Sequence, residues 1–353
     1  MLDKIFVWDS YSDQPHIIKD KNYKKQMRKK YLFDYIKLLF SSIFLLPLMV
    51  VVMKFFKAKK SKNSDIYGIG VSLDKGEEQI ELIEELGVKN LLIRVPLTDI
   101  QNISRYRDFA LKLIQNGKKS ILINILQDRV HIEDIKLLEK DICIVFDSFK
   151  DITKEYQVGN AINRIKWGFF AVEEYLKFYK SVQDIRNKSY QDLILIGPSV
   201  IDFEYYYNIR AMYNAYDIKY DKTSALLYVD RRGSPDNTQY GLFDLKNKID
   251  LLYALVRLSP KTANDDIYIT ETNWPISNTA PYAPTSEKEC IDLELYSKYM
   301  LKYYQIAKKS NKIKRVYWHQ LIATGYGLVD NRDGKIVKYP QFYEFKKMIK
   351  ALE

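Results

Sequence analysis

Cysteine is nearly absent from this chain, with only Cys143 and Cys290 in 353 residues. Neither lies in a CxxC or other metal-ligand spacing, which excludes a disulfide scaffold and argues against structural zinc. Cys143, inside an apolar run, reads as a small buried hydrophobe. Histidine is as scarce. His16, His131 and His319 are the full complement, too few for a multi-histidine catalytic metal site, so catalysis, if there is any, falls to carboxylates. No GxGxxG or GxxxxGK[ST] follows an early strand, and the usual phosphate cradles are therefore missing. No metal and no cofactor is expected.

A basic surface spread over the fold is lacking too. The formal charge is +11, but residues 1–62 carry 14 Lys+Arg against 5 Asp+Glu, and the remainder carries 42 against 40. The basicity belongs to the N-terminus, and the near-neutral remainder makes nucleic acid a poor partner. What is abundant is aromatic: 29 Tyr, 16 Phe and 4 Trp belong to a chain that folds.

Residues 38–53, LLFSSIFLLPLMVVVM, form an uncharged apolar run flanked by KKQMRKK and KFFKAKKSK. A cleaved signal peptide is disfavoured, because a long charged stretch precedes the run and no small-residue cleavage pattern follows it. The run is shorter than the ~20 residues of a straight membrane span, although Tyr35, Phe55, Phe56 and snorkelling lysines extend it. Pro47 leaves two geometries, a kinked transmembrane helix or a re-entrant one. The upstream flank has the greater positive charge, which favours a cytoplasmic N-terminus, yet two basic flanks also suit a segment whose ends stay on one side. The expected organisation is a basic segment over 1–37, a membrane segment over 38–56, a linker over 57–64 and a folded domain over 65–353. The chain is expected to sit at a membrane, with a bacterial inner membrane as the leading site and the side of the domain open.

From residue 65 onward, short β-branched runs alternate with helix-period stretches, as βα units require. Eight strands are expected, over 66–73, 90–97, 120–126, 155–160, 193–199, 224–230, 266–272 and 314–320. That number and length fit an α/β (β/α)8 TIM barrel. In such a barrel the active site lies at the C-terminal strand ends. Arg94 ends strand two, Gln157 and Asn160 end strand four, and Tyr228 and Asp230 end strand six. Glu271 ends strand seven, and Trp318 with His319 ends strand eight. Donors, acceptors, one carboxylate and an aromatic plate suit a sugar.

In this order the residues resemble a clan A glycoside hydrolase, a retaining (β/α)8-barrel glycosidase, over roughly residues 65–345. The resemblance implies that Glu271 is the nucleophile. It also implies that Arg94 and Tyr228 support Glu271, that Asn160 is the strand-four asparagine, and that Trp318 lies under the sugar. Gln157 and Asp230 join these as substrate-binding residues. One departure stands out: directly after the strand-four Asn, where the clan has its acid/base glutamate, this chain has Ala161.

A retaining glycosidase needs two carboxyl groups about 5–5.5 Å apart, and alanine transfers no proton. Three readings follow. Another group has taken over, with Glu204 and Asp202 first and Asp230 and His319 behind them, although most charged loop residues are simply solvated. Alternatively, the barrel has kept sugar binding without hydrolysis and serves as a glycan-binding or assembly protein. The third reading, that Ala161 is an introduced substitution, is disfavoured by the intact membrane segment. Two rim loops complete the expected mouth. Residues 228–241 include Arg231 and Arg232, suited to an acidic group or to phospholipid, and residues 273–289 include Trp274 and Tyr282, expected to extend the sugar cleft. The expected partners are a carbohydrate, as oligosaccharide or glycolipid, and the membrane.

Overall fold

The computed structural model describes residues 5–58, 65–115, 117, 119–230 and 233–351. Most of the expected linker, residues 59–64, and both Arg231 and Arg232 lie outside the described residues.

Eight parallel strands close into a barrel: Tyr67–Val71, Asn90–Pro96, Ser120–Leu126, Glu155–Val158, Ile194–Ile201, Lys222–Leu226, Ile267–Ile269 and Ile313–Trp318. Pairing of Val316 with Tyr67 joins strand eight to strand one and leaves no open edge. The expected barrel is therefore present, with every strand near its expected place. The largest offset is in strand six, which ends at Leu226 rather than 230.

Side chains alternate along each strand, and the alternation builds the interior in layers. At the N-terminal end Glu155 accepts from Tyr268 at 2.9 Å and pairs with Lys222 and Arg315. Above it Leu92, Leu122, Ile196, Tyr268 and Tyr317 pack into an apolar layer. Two residues further along, Arg94, Asn124 and Gln157 are register partners across strands two, three and four, so a polar layer faces the mouth. The outward positions meet the surrounding helices in the large core that includes Ile69, Ile93, Ile123 and Val316.

The N-terminal fifty residues pack onto this barrel. Residues Trp8–Asp9 and Gln14–Pro15 pair as a short antiparallel strap. Asp20 caps the following helix, Lys21–Lys30, by accepting from the Tyr23 amide at 2.9 Å. The apolar helix then runs over Leu32–Val52, six residues earlier than the uncharged run begins, with Pro47 inside it. It lies against helices Tyr205–Met212 and Leu245–Leu258.

Candidate active site

Two residues beyond strand seven stands Glu271, whose side chain turns into the mouth and is 10% exposed. Its Oε1 accepts from the Tyr228 hydroxyl at 2.6 Å, and its Oε2 accepts from the Arg94 guanidinium. Three strand ends thus converge on one carboxylate: Arg94 from strand two, Tyr228 just beyond strand six and Glu271 just beyond strand seven. Arg94 supplies opposite charge and Tyr228 a neutral donor, which together fix the carboxylate's orientation. Glu271, Arg94 and Tyr228 line a cavity of about 200 Å³ together with His319, Asn273, Asp202 and Lys166. Among the described residues, no group of three His, Cys, Asp or Glu side chains is placed to hold a metal ion.

Strand four does not deliver an acid. Ala161 is fully buried, in a small apolar cluster with Leu126, Trp167, Leu226 and Tyr228, and its φ is +46°, a left-handed conformation that costs an L-residue energy. The first two substitutes are both ion-paired. Arg164 pairs with Asp202 at 2.6 Å and with Glu204 at 2.7 Å, and Glu204 also accepts from Asn163 at 2.7 Å. Asp202 reaches the Glu271 cavity, but Glu204 does not line it.

Several expected sugar contacts are placed differently. Gln157 and Asn160 are buried at 0% and 1% exposure and line neither cavity at the mouth. They form a polar layer below it: Gln157 donates to the Asn160 side-chain carbonyl at 3.2 Å, and Gln127 donates to the Asn160 backbone carbonyl at 2.8 Å. Trp318 is not a sugar platform. Tyr317 packs inside the barrel, so period-two alternation sends Trp318 outward. There it stacks on Trp274 and Tyr304 at centroid distances of 5.8 and 5.6 Å and donates to the Tyr296 hydroxyl at 2.7 Å. Trp274, fully buried, belongs to the same stack and does not extend a cleft. Asp230 lines neither cavity. His319 does reach the Glu271 cavity and stacks on Tyr326.

The larger surprise comes from the N-terminus. The strap lies across the mouth, and its Ser12, Asp13 and Gln14 line the Glu271 cavity. Asp13 accepts from Gln320 and from Tyr326, each at 2.9 Å, and pairs with Lys75 at 3.0 Å. Gln14 accepts from Lys166 at 2.6 Å and donates to the Pro284 carbonyl at 3.2 Å. Edge-on aromatic contacts of Trp8 with Trp167 and of Tyr11 with Tyr282 fasten the strap to the loop after strand four and to the rim loop 273–289. A second cavity of about 490 Å³ adjoins the first, and the two share Asp13, Arg94, Lys166 and Trp167. Asp13 of the strap and Trp167 thus line both cavities where they adjoin at the mouth.

Electrostatics fit a closed lid. Burial lowers the Lys166 pKa, and attraction to Glu271 offsets only part of that. For Lys75 burial again acts downward, but Asp13 and Asp74 outweigh it and the pKa rises. A lysine raised on folding contributes stability that is present below its ordinary pKa and is lost as pH rises through the folded value. The Lys75–Asp13 latch therefore holds at neutral pH. Nothing in the residues of the strap signals this role, because its contacts with the mouth are made to residues distant in sequence.

No protein-family model and no curated protein matches the chain. Solved structures do. The family 1 β-glucosidase of Thermotoga maritima superposes with a TM-score of 0.57 at 11% identity, covering 84% of this chain and 99% of that one. Virulence factor SghA of Agrobacterium tumefaciens, solved with its substrate analogue salicin, gives 0.59 at 9% identity, covering 83% and 99%. The rice β-glucosidase Os3BGlu6 gives 0.58 at 10% identity, covering 80% and 97%. The chain has the (β/α)8 barrel fold that these structures share. At such identities the likeness concerns the fold alone.

Proposed function

We propose that this chain is a membrane-anchored, glycoside hydrolase-like protein that binds saccharides of cell-envelope or lipid-linked glycans, with Glu271 as its nucleophile. The observation that carries the reading is the Glu271 carboxylate, fixed by Arg94 and Tyr228 at the end of strand seven and open to a cavity. In this reading a Glu271 oxygen attacks the anomeric carbon as the aglycone leaves, and Tyr228 and Arg94 keep the carboxylate in line. With Ala161 in the acid position, leaving groups that need a proton depart slowly, and those stable as anions depart readily. The glycan class follows from the apolar helix, which would hold the mouth near lipid-attached sugars.

A second reading, glycan binding or assembly without turnover, is favoured by the sealed surroundings of Ala161 and by the strap. The two readings separate on a dinitrophenyl β-glucoside, whose aglycone leaves unprotonated. Full-length protein in detergent is expected to release dinitrophenolate, and Glu271→Gln is expected to release at least a hundredfold less. Saccharide binding without release by either protein would support the second reading instead. Absence of both would exclude a carbohydrate role.

A further inference from the structure

We propose that the helix Leu32–Val52 lies in the plane of one membrane leaflet, as a lengthwise raft for the barrel, and does not cross the bilayer. This deepens the membrane part of the proposed function and is independent of the sugar chemistry. The helix is ~30 Å long at 1.5 Å per residue, enough to span a hydrocarbon core, so length decides nothing. Its two faces decide it.

The inner face is fastened to the barrel from end to end. In the first turn, Asp34 is buried, and it accepts two hydrogen bonds from Arg210 at 2.9 and 2.6 Å and a third from the Glu173 amide at 2.9 Å. Near the other end Met49 and Met53 are buried in the main core, and just beyond it Lys54 pairs with Asp250 at 3.2 Å. Spanning with these contacts intact would drag the barrel flank into lipid. That flank carries water-exposed charge, including Lys177 and Lys246, whose side chains are 54% and 61% exposed. Charge of that kind is strongly disfavoured at bilayer depth.

The outer face is broadly apolar. Phe33, Phe40, Phe44 and Val51, 57–77% exposed, form its central stripe at 100° per residue, and Leu32, Leu39, Ile43 and Leu48, 51–56% exposed, widen it to either side. Large unpartnered apolar faces of this kind mark a docking surface. The occupant is indicated by charge. From Lys21 to Lys57 the one acidic residue, Asp34, is neutralised internally, while Arg28, Lys29, Lys30, Lys37 and Lys57 are exposed around the stripe. That arrangement complements an anionic lipid surface.

The test places a nitroxide at each stripe position, using Phe33→Cys, Phe40→Cys, Phe44→Cys and Val51→Cys in the full chain with Cys143→Ser and Cys290→Ser. The proteins are bound to phosphatidylcholine–phosphatidylglycerol vesicles, and depth is read from oxygen against nickel-chelate accessibility. All four labels are expected at one shallow depth, about 5–10 Å below the headgroups. A depth that passes through the midplane between Phe33 and Val51 would overturn the proposal in favour of spanning. Labels as water-accessible as in detergent-free solution would overturn it in favour of a protein partner on the stripe. Phe40→Glu with Phe44→Glu is expected to weaken vesicle binding at least tenfold with unchanged circular dichroism. Unweakened binding would contradict the assigned face.

Discussion

Deleting residues 1–16 is expected to tighten saccharide binding by about tenfold to a hundredfold. The strap occupies the mouth through groups that a sugar would need: Gln320, Tyr326 and Lys75 are spent on Asp13, and Lys166 on Gln14. A ligand that binds only the open mouth sees its affinity reduced by the fraction of molecules that are open. Each tenfold gain on deletion therefore corresponds to ~1.4 kcal/mol of strap closure. That is a modest sum for a half-buried latch plus two edge-on aromatic pairs. The truncation retains Ile18, which is buried, and Asp20, which caps the following helix, so the barrel should fold with a small loss of stability. Calorimetric titration with β-glucosides, comparing full-length and truncated protein, measures the effect. Asp13→Ala is expected to show part of it. Equal affinities in all three would mean that the strap does not compete with ligand.

The second large effect is expected from Ala161→Glu. The residue would gain a carboxyl at the strand-four position, between Tyr228 and Trp167 and close to the cavity that holds Glu271. One cost is foreseeable. Overpacking a closed apolar cluster typically costs ~1–3 kcal/mol, whereas the left-handed strain at 161 falls on the Cβ and is already borne by alanine. The same apolar walls would favour the protonated carboxyl, as a general acid requires. Turnover of glycosides with poor leaving groups is expected to rise about 10²–10⁴-fold, accompanied by a lower melting temperature. Dinitrophenyl glycosides should gain little in the bond-breaking step. A stable variant with no gain on poor leaving groups would show that position 161 does not face the departing oxygen.

Much of this barrel could be read from local pattern. β-branched runs marked all eight strands, and the glutamate of strand seven met its arginine and tyrosine because barrel strand ends converge on one mouth. Trp318 was misplaced for an instructive reason. Its neighbours Arg315, Tyr317 and His319 share one face, so strand periodicity alone puts the tryptophan on the other, against the helix Leu293–Ser310. The resemblance to the glycosidases suggested the opposite. Asp202 and Glu204 looked available because their partner, Arg164, lies in the loop after strand four, and loop-to-loop ion pairs leave no periodic trace. The strap was illegible for the same reason, its contacts with Lys75, Gln320 and Tyr326 being made to residues 62 to 313 positions away. The apolar run was recognised by composition, but composition does not distinguish a helix that crosses lipid from one whose inner face holds a buried Asp34–Arg210 pair.

Whether Glu271 is a nucleophile facing a saccharide is read most directly by peptide-level mass spectrometry of the strap-truncated protein after incubation with a 2-deoxy-2-fluoro-β-glucosyl fluoride. Fluoride leaves without a proton, and with no base at position 161 the glycosyl-enzyme should persist. One fluoroglucosyl group on the peptide containing Glu271, absent from Glu271→Gln, is the expected result. A protein that binds the sugar yet carries no label, or carries it on another carboxylate, would contradict the claim.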